Sequence, residues 1–252
     1  MNQSQEACVL LSAFADEAGY VSKSQGNVPP TPREMLAVAA GIGLLDFVPR
    51  FHNFGTAELP DVRGLLALTE ADLEQIRLVR QEFGFECHCL GTPIGKGVRL
   101  TEEDDGSGNR WIAPQEYFED VVLKAEKLCG AFGARMVRGF SFHHPQGTNS
   151  ADFIEQAAAR LRPIVQHFAE HQTIYACEIE TNLVGDTAAN CVALAQAINN
   201  PWFGLIYDPG NITSQGDDLL DAVRLMNGYV VEIHAKHYIG KDRGGEFVDE
   251  NA

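Results

Sequence analysis

The chain has 252 residues, of which 45% are hydrophobic and 21% are charged, as is typical of a globular protein. Its formal net charge of −16 argues against a nucleic-acid partner, because affinity for phosphates depends on clustered Lys and Arg residues. No apolar run approaches the roughly 20 residues that span a bilayer, and the N-terminal segment lacks a signal-peptide pattern. We therefore predict a cytoplasmic protein that binds neither membrane nor nucleic acid. The six scattered cysteines are expected to be reduced core residues.

Strand-like apolar runs alternate with helix-like runs along the chain. The predicted strands are residues 8–15, 44–51, 85–93, 134–142, 173–180, 202–208 and 229–238. The predicted helices are residues 32–43, 69–84, 114–133, 150–171, 186–199 and 217–227. The helix over 69–84 shows the local signals well, since Thr69 stands at the N-cap, acidic residues follow and Gly84 ends it. Strands that alternate with helices predict βαβ units and a parallel sheet.

Seven predicted strands in a chain of this length favour an α/β fold, specifically a (β/α)₈ TIM barrel, in one domain over residues 1–252. After the seventh strand, residues 239–252 are polar and too few for an eighth strand and helix. The missing eighth strand has three explanations: the barrel is incomplete, another chain fills the gap, or the sequence is a truncated version of a longer protein. We expect homo-oligomerisation, because an open barrel edge exposes a strand to pairing.

Charged side chains end three consecutive predicted strands. Glu178 and Glu180 end the fifth, Asp208 ends the sixth and His234 lies near the end of the seventh. The C-terminal ends of barrel strands line one active site, so these side chains are predicted to converge there. Carboxylates with one imidazole suit Mn²⁺, Mg²⁺, Co²⁺ or Zn²⁺. Asp208 alone would be read as a helix cap or turn former, but the set favours a functional site.

A divalent ion at such a site stabilises the enediolate that forms when the carbon beside a carbonyl loses a proton. Whichever of Glu178 and Glu180 does not bind the ion is the candidate general base. The chain has no GxSxG, HExxH, P-loop or GxGxxG motif, which argues against the commonest hydrolases, NTPases and dinucleotide-binding enzymes.

Other polar residues also follow or lie within the predicted strands. His52 follows the second strand. Lys96 lies in the segment TPIGK after the third strand, where it neutralises an oxyanion or phosphate or is simply a solvated residue of a tight turn. Arg138 lies within an apolar stretch of the fourth strand and needs a buried acid or a ligand as its partner.

Six segments follow one another along the chain: AFADEAG (13–19), TPIGK (92–96), VRGFSF (137–142), EIETNLVGDTAANC (178–191), YDPGNI (207–212) and IHAKH (233–237). Together they resemble the sugar phosphate isomerase/epimerase family of xylose-isomerase-like barrels. The resemblance covers nearly the whole chain. It implies metal binding by Glu178, Asp208 and His234, and isomerisation, epimerisation or dehydration of small sugars, keto acids or polyols. The predicted catalytic residues are Glu178, Glu180 and Lys236, and the predicted substrate contacts are Lys96, Arg138, Asn211, His237 and His52.

Two departures from the family pattern matter. His237 stands where the family has an Asp, and the family's fourth ligand, a Glu on strand eight, lies beyond the end of this sequence. Three ligands are expected to hold a metal more weakly than the four of the family, with water in the remaining coordination positions. The alternatives are a dehydratase or 3-keto-glycoside lyase of the same fold, or a catalytically inactive homologue. A DNA-repair enzyme of the AP-endonuclease type is opposed by the acidity of the chain.

Overall fold

The computed structural model describes residues 10–14, 30–56 and 59–235. They group into two compact units, one drawn from Met1–Gly91 with Leu128–Ala134 and the other from Thr92–Lys127 with Arg135–Ala252. Lys236 and His237, two of the predicted site residues, lie outside the described residues, as do residues 8, 9 and 15 of the first predicted strand. The prediction of one domain over the whole chain stays a prediction.

The first unit contributes α1 (Pro32–Gly41), β1 (Phe51–Asn53), β2 (Val62–Gly64), α2 (Glu70–Phe83) and β3 (Cys89–Gly91). Both helices begin with a capping box. A threonine side chain accepts a hydrogen bond from the backbone N–H of an acidic residue three positions on, and the carboxylate of that residue accepts one from the threonine backbone N–H. Thr69 and Asp72 form this box in α2, and Gly84 ends that helix with a φ of 70°. The N-terminal boundaries of both helices and the C-terminal boundary of α2 therefore follow from local sequence.

Residues 45–49, the centre of the second predicted strand, pair with their neighbours without forming a continuous strand. The Val48 amide donates to the Ala13 carbonyl at 2.8 Å, and the Gly91 amide donates to the Pro49 carbonyl at 3.0 Å. Pro49 has no N–H to donate, which interrupts the ladder at this point. The chain then continues into β1, which pairs antiparallel with β2, a hairpin that the sequence pattern did not predict.

The second unit contains the parallel strands that position the candidate site. In chain order its elements include α3 (Pro114–Tyr117), the first half of α4 (Leu123–Phe132), β4 (Met136–Gly139), α5 (Ile154–Glu170), β5 (Ile174–Glu178), α6 (Ala188–Ile198), β6 (Phe203–Tyr207), α7 (Pro209–Gln215), α8 (Leu219–Met226) and β7 (Val230–Ile233). Strands β4, β5, β6 and β7 are neighbours in this order and run parallel. Helices α5 and α6 connect consecutive strands, as the βαβ prediction requires.

Two helical features differ from the sequence prediction. The predicted helix over 114–133 contains one π turn, Phe118–Val122, between α3 and α4. The short helix α7 was not predicted, and it begins directly after β6 with Asp208 as its N-cap.

The interior of both units is apolar and closely packed. Strand β6 is buried along its whole length, as expected for a parallel strand covered on both faces. The described cysteines are all buried and free of disulfides, which agrees with the prediction of reduced core residues. Among the described residues, no helix is both long enough and apolar enough to cross a membrane.

Candidate active site

Three side chains with metal-ligating groups lie together at neighbouring strand ends in the second unit. Glu178 is the last residue of β5, Asp208 directly follows β6 and His234 directly follows β7. One ligand atom from each of the three lies within 4.8 Å of the others. Their side chains are buried, with residue exposures of 3%, 0% and 7% respectively. The structure thus brings together the three residues that the sequence predicts as metal ligands.

The register of the sheet explains why these residues meet. Glu178 pairs with Ile206, and Tyr207 pairs with Ile233, so the three strands end nearly level. The His234 amide donates to the Tyr207 carbonyl at 3.0 Å, which continues the ladder one residue past β7. Because parallel strands present their carboxyl ends at one edge, side chains at these positions converge.

Hydrogen bonds and charge hold the cluster in place. Arg138 Nη1 donates to Glu178 Oε2 at 3.3 Å, so the buried guanidinium has the acidic partner that the sequence requires of it. His234 Nδ1 lies 3.3 Å from Glu178 Oε1. Burial alone would lower the pKa of His234, but the carboxylates of Glu178 and Glu232 outweigh it and raise that pKa.

Glu232 is a neighbour of the site that the sequence analysis missed. Its Oε1 lies 3.6 Å from Nε2 of His234. Alternate residues of a strand point to the same face, so the spacing between Glu232 and His234 was the available signal.

The donor set fits a divalent cation. Two buried carboxylates and one imidazole supply oxygen and nitrogen ligands, a combination that suits a divalent cation. Cysteine, which would favour softer metals, is not part of this group of described residues.

Lys96 and Glu180 form an ion pair in the same unit. Lys96 Nζ lies 2.6 Å from Glu180 Oε2, and the ammonium also lies 4.8 Å from the centre of the Phe140 ring. The Lys96 side chain is 48% exposed, whereas that of Glu180 is 16% exposed. Lys96 is therefore anchored to a predicted catalytic carboxylate rather than being a purely solvated turn residue.

The loop that carries Lys96 is fixed by contacts along its length. The Phe140 amide donates to the Ile94 carbonyl at 2.7 Å, and the Gly95 amide donates to the Tyr117 hydroxyl at 2.7 Å. The Thr92 hydroxyl donates to the Arg138 carbonyl at 2.6 Å. These contacts connect TPIGK to the end of β4 and so determine where the ammonium can reach.

Asn211 is buried and connects α7 to the end of β5. Its amide nitrogen Nδ2 donates to the Ile179 carbonyl at 2.7 Å, and its backbone N–H donates to Asp208 Oδ1 at 2.9 Å. It thereby positions the backbone between Glu178 and Glu180. Its predicted contact with substrate stays a prediction.

His52 belongs to the first unit and is fully buried there. Neither of its ring nitrogens has a hydrogen-bond partner among the described residues. Burial lowers its pKa to about 4, although Asp72 opposes the shift. The imidazole is therefore neutral at neutral pH, and its predicted role in substrate binding is untested.

A family model for xylose isomerase-like TIM barrels matches residues 45–251, which is most of the chain. The chain belongs to the xylose isomerase-like TIM barrel family. This confirms both the resemblance identified in the sequence and the (β/α)₈ fold class.

Individual relatives of this xylose isomerase-like protein are distant. The L-ribulose-5-phosphate 3-epimerase UlaE of Escherichia coli is 23% identical over 119 residues, which are 46% of this chain and 41% of that epimerase. The chain thus spans about four-tenths of the length of the curated relatives that it matches.

Two solved structures show the same fold. One is the probable 3-DHS dehydratase AsbF of Bacillus anthracis, with a TM-score of 0.65 and 16% identity over 93% of this chain and 76% of that one. The other is a xylose isomerase-like TIM barrel protein of Mycobacterium smegmatis in complex with magnesium, with a TM-score of 0.58 and 15% identity over 91% and 74%.

Proposed function

We propose that this protein is a divalent-metal-dependent isomerase or epimerase of a small sugar, keto acid or polyol. The observation that carries the proposal is the convergence of buried Glu178, Asp208 and His234 at three adjacent strand ends. The substrate class is supported by the name of the curated relative, an epimerase of L-ribulose 5-phosphate. The magnesium in the Mycobacterium smegmatis relative supports the choice of a divalent ion. We place the enzyme in the cytoplasm and propose that it self-associates.

Glu178, Asp208 and His234 would hold a Mn²⁺, Mg²⁺, Co²⁺ or Zn²⁺ ion. When bound, the ion supplies Lewis-acid stabilisation of negative charge on the carbonyl and hydroxyl oxygens of the substrate. Arg138 orients Glu178 from the opposite side, since its guanidinium donates to the second carboxylate oxygen. The ligands are thus fixed by the fold before any ion binds, which reduces the ordering needed on binding.

Proton transfer is assigned to Glu180. It takes the proton from the carbon beside the carbonyl, which leaves the enediolate. Delivery of that proton to the former carbonyl carbon, with the hydroxyl proton passing to the former carbonyl oxygen, completes an isomerisation. An epimerisation needs in addition a second acid that protonates the opposite face of the enediolate. Lys96, which is paired with Glu180, neutralises the oxyanion or a substrate phosphate. Lys236 and His237 are proposed to contact the substrate from the segment that follows β7.

A dehydratase is the second candidate, because the probable 3-DHS dehydratase AsbF shares the fold over most of both chains. Dehydration, like cleavage by a 3-keto-glycoside lyase, begins with the same abstraction of a proton beside a carbonyl. These reactions differ in what leaves afterwards, so product analysis separates them.

Solvent deuterium exchange tests the proposal. The protein is stripped with a chelator, reloaded with Mn²⁺ or Mg²⁺, and incubated in D₂O with a panel of ketoses, ketose phosphates and keto acids. We expect metal-dependent incorporation of deuterium beside the carbonyl, detected by NMR. Absence of metal binding together with an unchanged melting temperature on adding Mn²⁺ would falsify the metalloenzyme proposal and support an inactive homologue.

Paired variants separate the two acidic roles. Glu180→Gln should abolish deuterium exchange but keep Mn²⁺ binding, whereas Glu178→Gln should weaken both. Glu155→Gln is the matched control, because the Glu155 side chain is 80% exposed and forms an ion pair with Arg162, outside the candidate active site. Exchange that survives Glu180→Gln would reassign the base.

A further inference from the structure

A second cluster of metal-ligating side chains lies outside the candidate active site, on helices of the second unit. It consists of Glu126 from α4, His167 from α5 and His171, the residue directly after α5. One ligand atom of each lies within 4.8 Å of the others. None of these residues belongs to the predicted catalytic, metal-binding or substrate-binding set.

The spacing of the two histidines suits chelation. His167 and His171 are four residues apart, so their side chains emerge on one helical face, and their ring centres lie 4.6 Å apart. His171 is the C-cap of α5, where the helix dipole places partial negative charge and favours a cation.

The tautomer of His171 is set by the backbone. Its Nδ1 lies 2.8 Å from the His167 carbonyl, and because a carbonyl only accepts, Nδ1 is the nitrogen that donates. The lone pair is therefore on Nε2, which lies 3.8 Å from Glu126 Oε1. An imidazole whose far N–H donates to a carbonyl is the usual arrangement of a metal-binding histidine.

His167 contributes one ring nitrogen to the cluster. Its Nε2 is buried and has no hydrogen-bond partner among the residues that the structure describes. The ring also packs edge-on against Phe118, with centres 5.1 Å apart, which limits its rotation. Burial lowers the pKa of His167, and the neighbouring His171 adds to the effect, while Glu126 and Glu170 oppose it.

We propose that Glu126, His167 and His171 form a second metal site, which takes a borderline transition-metal ion such as Zn²⁺, Ni²⁺ or Cu²⁺. Two imidazoles and one carboxylate are a frequent protein ligand set for Zn²⁺, with water in the open position. The higher nitrogen content distinguishes this site from Glu178, Asp208 and His234, whose two carboxylates accept Mg²⁺ or Mn²⁺ more readily. A bound ion connects α4 to the end of α5.

The test uses the full chain with Asp208→Asn, which removes a ligand from the candidate active site and leaves the helical cluster intact. Apo protein is titrated with Zn²⁺ by calorimetry, and Cu²⁺ loading is followed by electron paramagnetic resonance. We expect one equivalent of Zn²⁺ in this background and a Cu²⁺ spectrum with coupling to two nitrogens. Adding His171→Gln should weaken Zn²⁺ binding by roughly 10- to 100-fold or more.

The control in the same background is His144→Gln, a half-buried histidine that hydrogen-bonds Pro145 and Thr148 outside both clusters. It should leave the Zn²⁺ equivalent in place. Equal Zn²⁺ binding with and without His171→Gln overturns the proposal, and so does loss of all Zn²⁺ binding in the Asp208→Asn background. The quantity compared is Zn²⁺ binding with and without His171→Gln in the same background. Zn²⁺ bound by cysteines is common to both chains and does not affect this difference.

A thermal measurement guards against misfolding of the variants. Zn²⁺ should raise the melting temperature of Asp208→Asn, and Glu126→Gln should abolish this rise while leaving the circular dichroism spectrum unchanged. If the cluster only forms a His171–Glu126 ion pair, Glu126→Gln will change the apo melting temperature but Zn²⁺ will have no effect in either chain, which rejects the site. This measurement does not depend on deuterium exchange. Failure of the second metal site can therefore be told apart from failure of the proposed isomerase activity.

Discussion

Asp208 shows that a capping residue and a proposed metal ligand can be the same carboxylate. Its Oδ1 accepts the Asn211 backbone N–H at 2.9 Å and starts α7, which is the helix-cap interpretation of the sequence DPGN. The residue is also fully buried beside Glu178 and His234, which is the ligand interpretation. A carboxylate has two oxygens, so the two roles are compatible.

Asp208→Asn separates the two roles. Asparagine caps a helix about as well as aspartate, so the free energy of unfolding should change by less than about 1 kcal/mol. The lost charge should weaken Mn²⁺ binding at least about 10-fold. Urea unfolding and Mn²⁺ titration measure the two effects.

The control is Asp218→Asn, because Asp218 caps α8 in the same way, through the amides of Leu220 and Asp221, but is not part of the cluster. It should leave both stability and metal binding near the wild-type values. An Asp208→Asn chain that binds Mn²⁺ as the wild type does would contradict the ligand assignment.

Because His52 is buried and neutral, we expect the protein to lose stability in mild acid. Its pKa is about 4 in the folded protein and near 6.5 when unfolded, so between these values the unfolded chain binds a proton that the folded chain does not. Stability from this residue is complete above about pH 6.5 and falls as the pH drops towards 4, by roughly 2 kcal/mol between pH 7 and pH 5.

Urea unfolding of the wild type and His52→Leu at both pH values measures this effect. Leucine fills the buried position without a titrating group, so the wild type should lose roughly 2 kcal/mol more than the variant on acidification. The other titrating groups are common to both chains and cancel in the comparison. Equal losses would mean that His52 is protonated or solvated in the folded state.

The convergence of the candidate site residues was predictable, because the ends of strands can be recognised in the sequence. Each apolar run stops at a polar residue, and the parallel order of the strands brings Glu178, Asp208 and His234 to one edge. The helical cluster was not predicted, although the spacing of HFAEH in residues 167–171 shows its histidine pair. Its third ligand, Glu126, comes from another helix, and helix packing is not readable from periodicity alone.

At the scale of elements, long periodic segments were predicted and short ones were not. Helices α2, α5 and α6 have strong caps or amphipathic faces and lie within their predicted ranges. Helix α7 has seven residues and no apolar stripe, so its Asp208 cap and the packing of Asn211 determine it. The π turn before α4 depends on tertiary packing, because no Pro or Gly marks it in the sequence.

In the loop of residues 92–97, we expect alanine substitutions at the two glycines to have unequal effects. Gly95 and Gly97 both have positive φ, at 83° and 70°, so alanine at either costs about 1 kcal/mol in backbone strain. A Cβ on Gly95 would also lie 2.2 Å from the Phe140 carbonyl oxygen, whereas a Cβ on Gly97 meets nothing within 4 Å. Gly95→Ala should therefore lose at least about 2 kcal/mol more than Gly97→Ala.

Urea unfolding of the two variants gives this difference directly, and Gly97→Ala serves as the control for backbone strain. Because Gly95 precedes Lys96, its substitution should also reduce deuterium exchange more than Gly97→Ala does. Equal stabilities would show that the loop moves away from β4 without cost.

At the scale of the whole molecule, alternation of strands and helices was sufficient to predict the fold class. The parallel order of β4 to β7 and the family match over residues 45–251 agree with that prediction. The antiparallel pairing of β1 and β2 was not predictable, because each strand has only three residues and periodicity needs more. Their pairing depends on contacts across the intervening turn.

The charge of the molecule predicts that it does not act on DNA. The sequence has 35 acidic residues against 19 Lys and Arg, so its net charge of −16 repels a polyanion most strongly at low ionic strength. DNA-binding proteins behave in the opposite way, since their affinity rises as salt falls. We expect no retention of a duplex with one abasic site at about 20 mM salt, with or without Mn²⁺.

A mobility-shift assay and a nicking assay on the same labelled duplex measure binding and cleavage together. The Asp208→Asn chain is the control, because it separates cleavage at the Glu178–Asp208–His234 cluster from a contaminating nuclease. If the wild type shows metal-dependent nicking and Asp208→Asn abolishes it, Lys and Arg residues near the site overcome the repulsion from the net negative charge of the molecule. The substrate class would then change from a sugar to a DNA backbone, although the ligands and the fold would be the same.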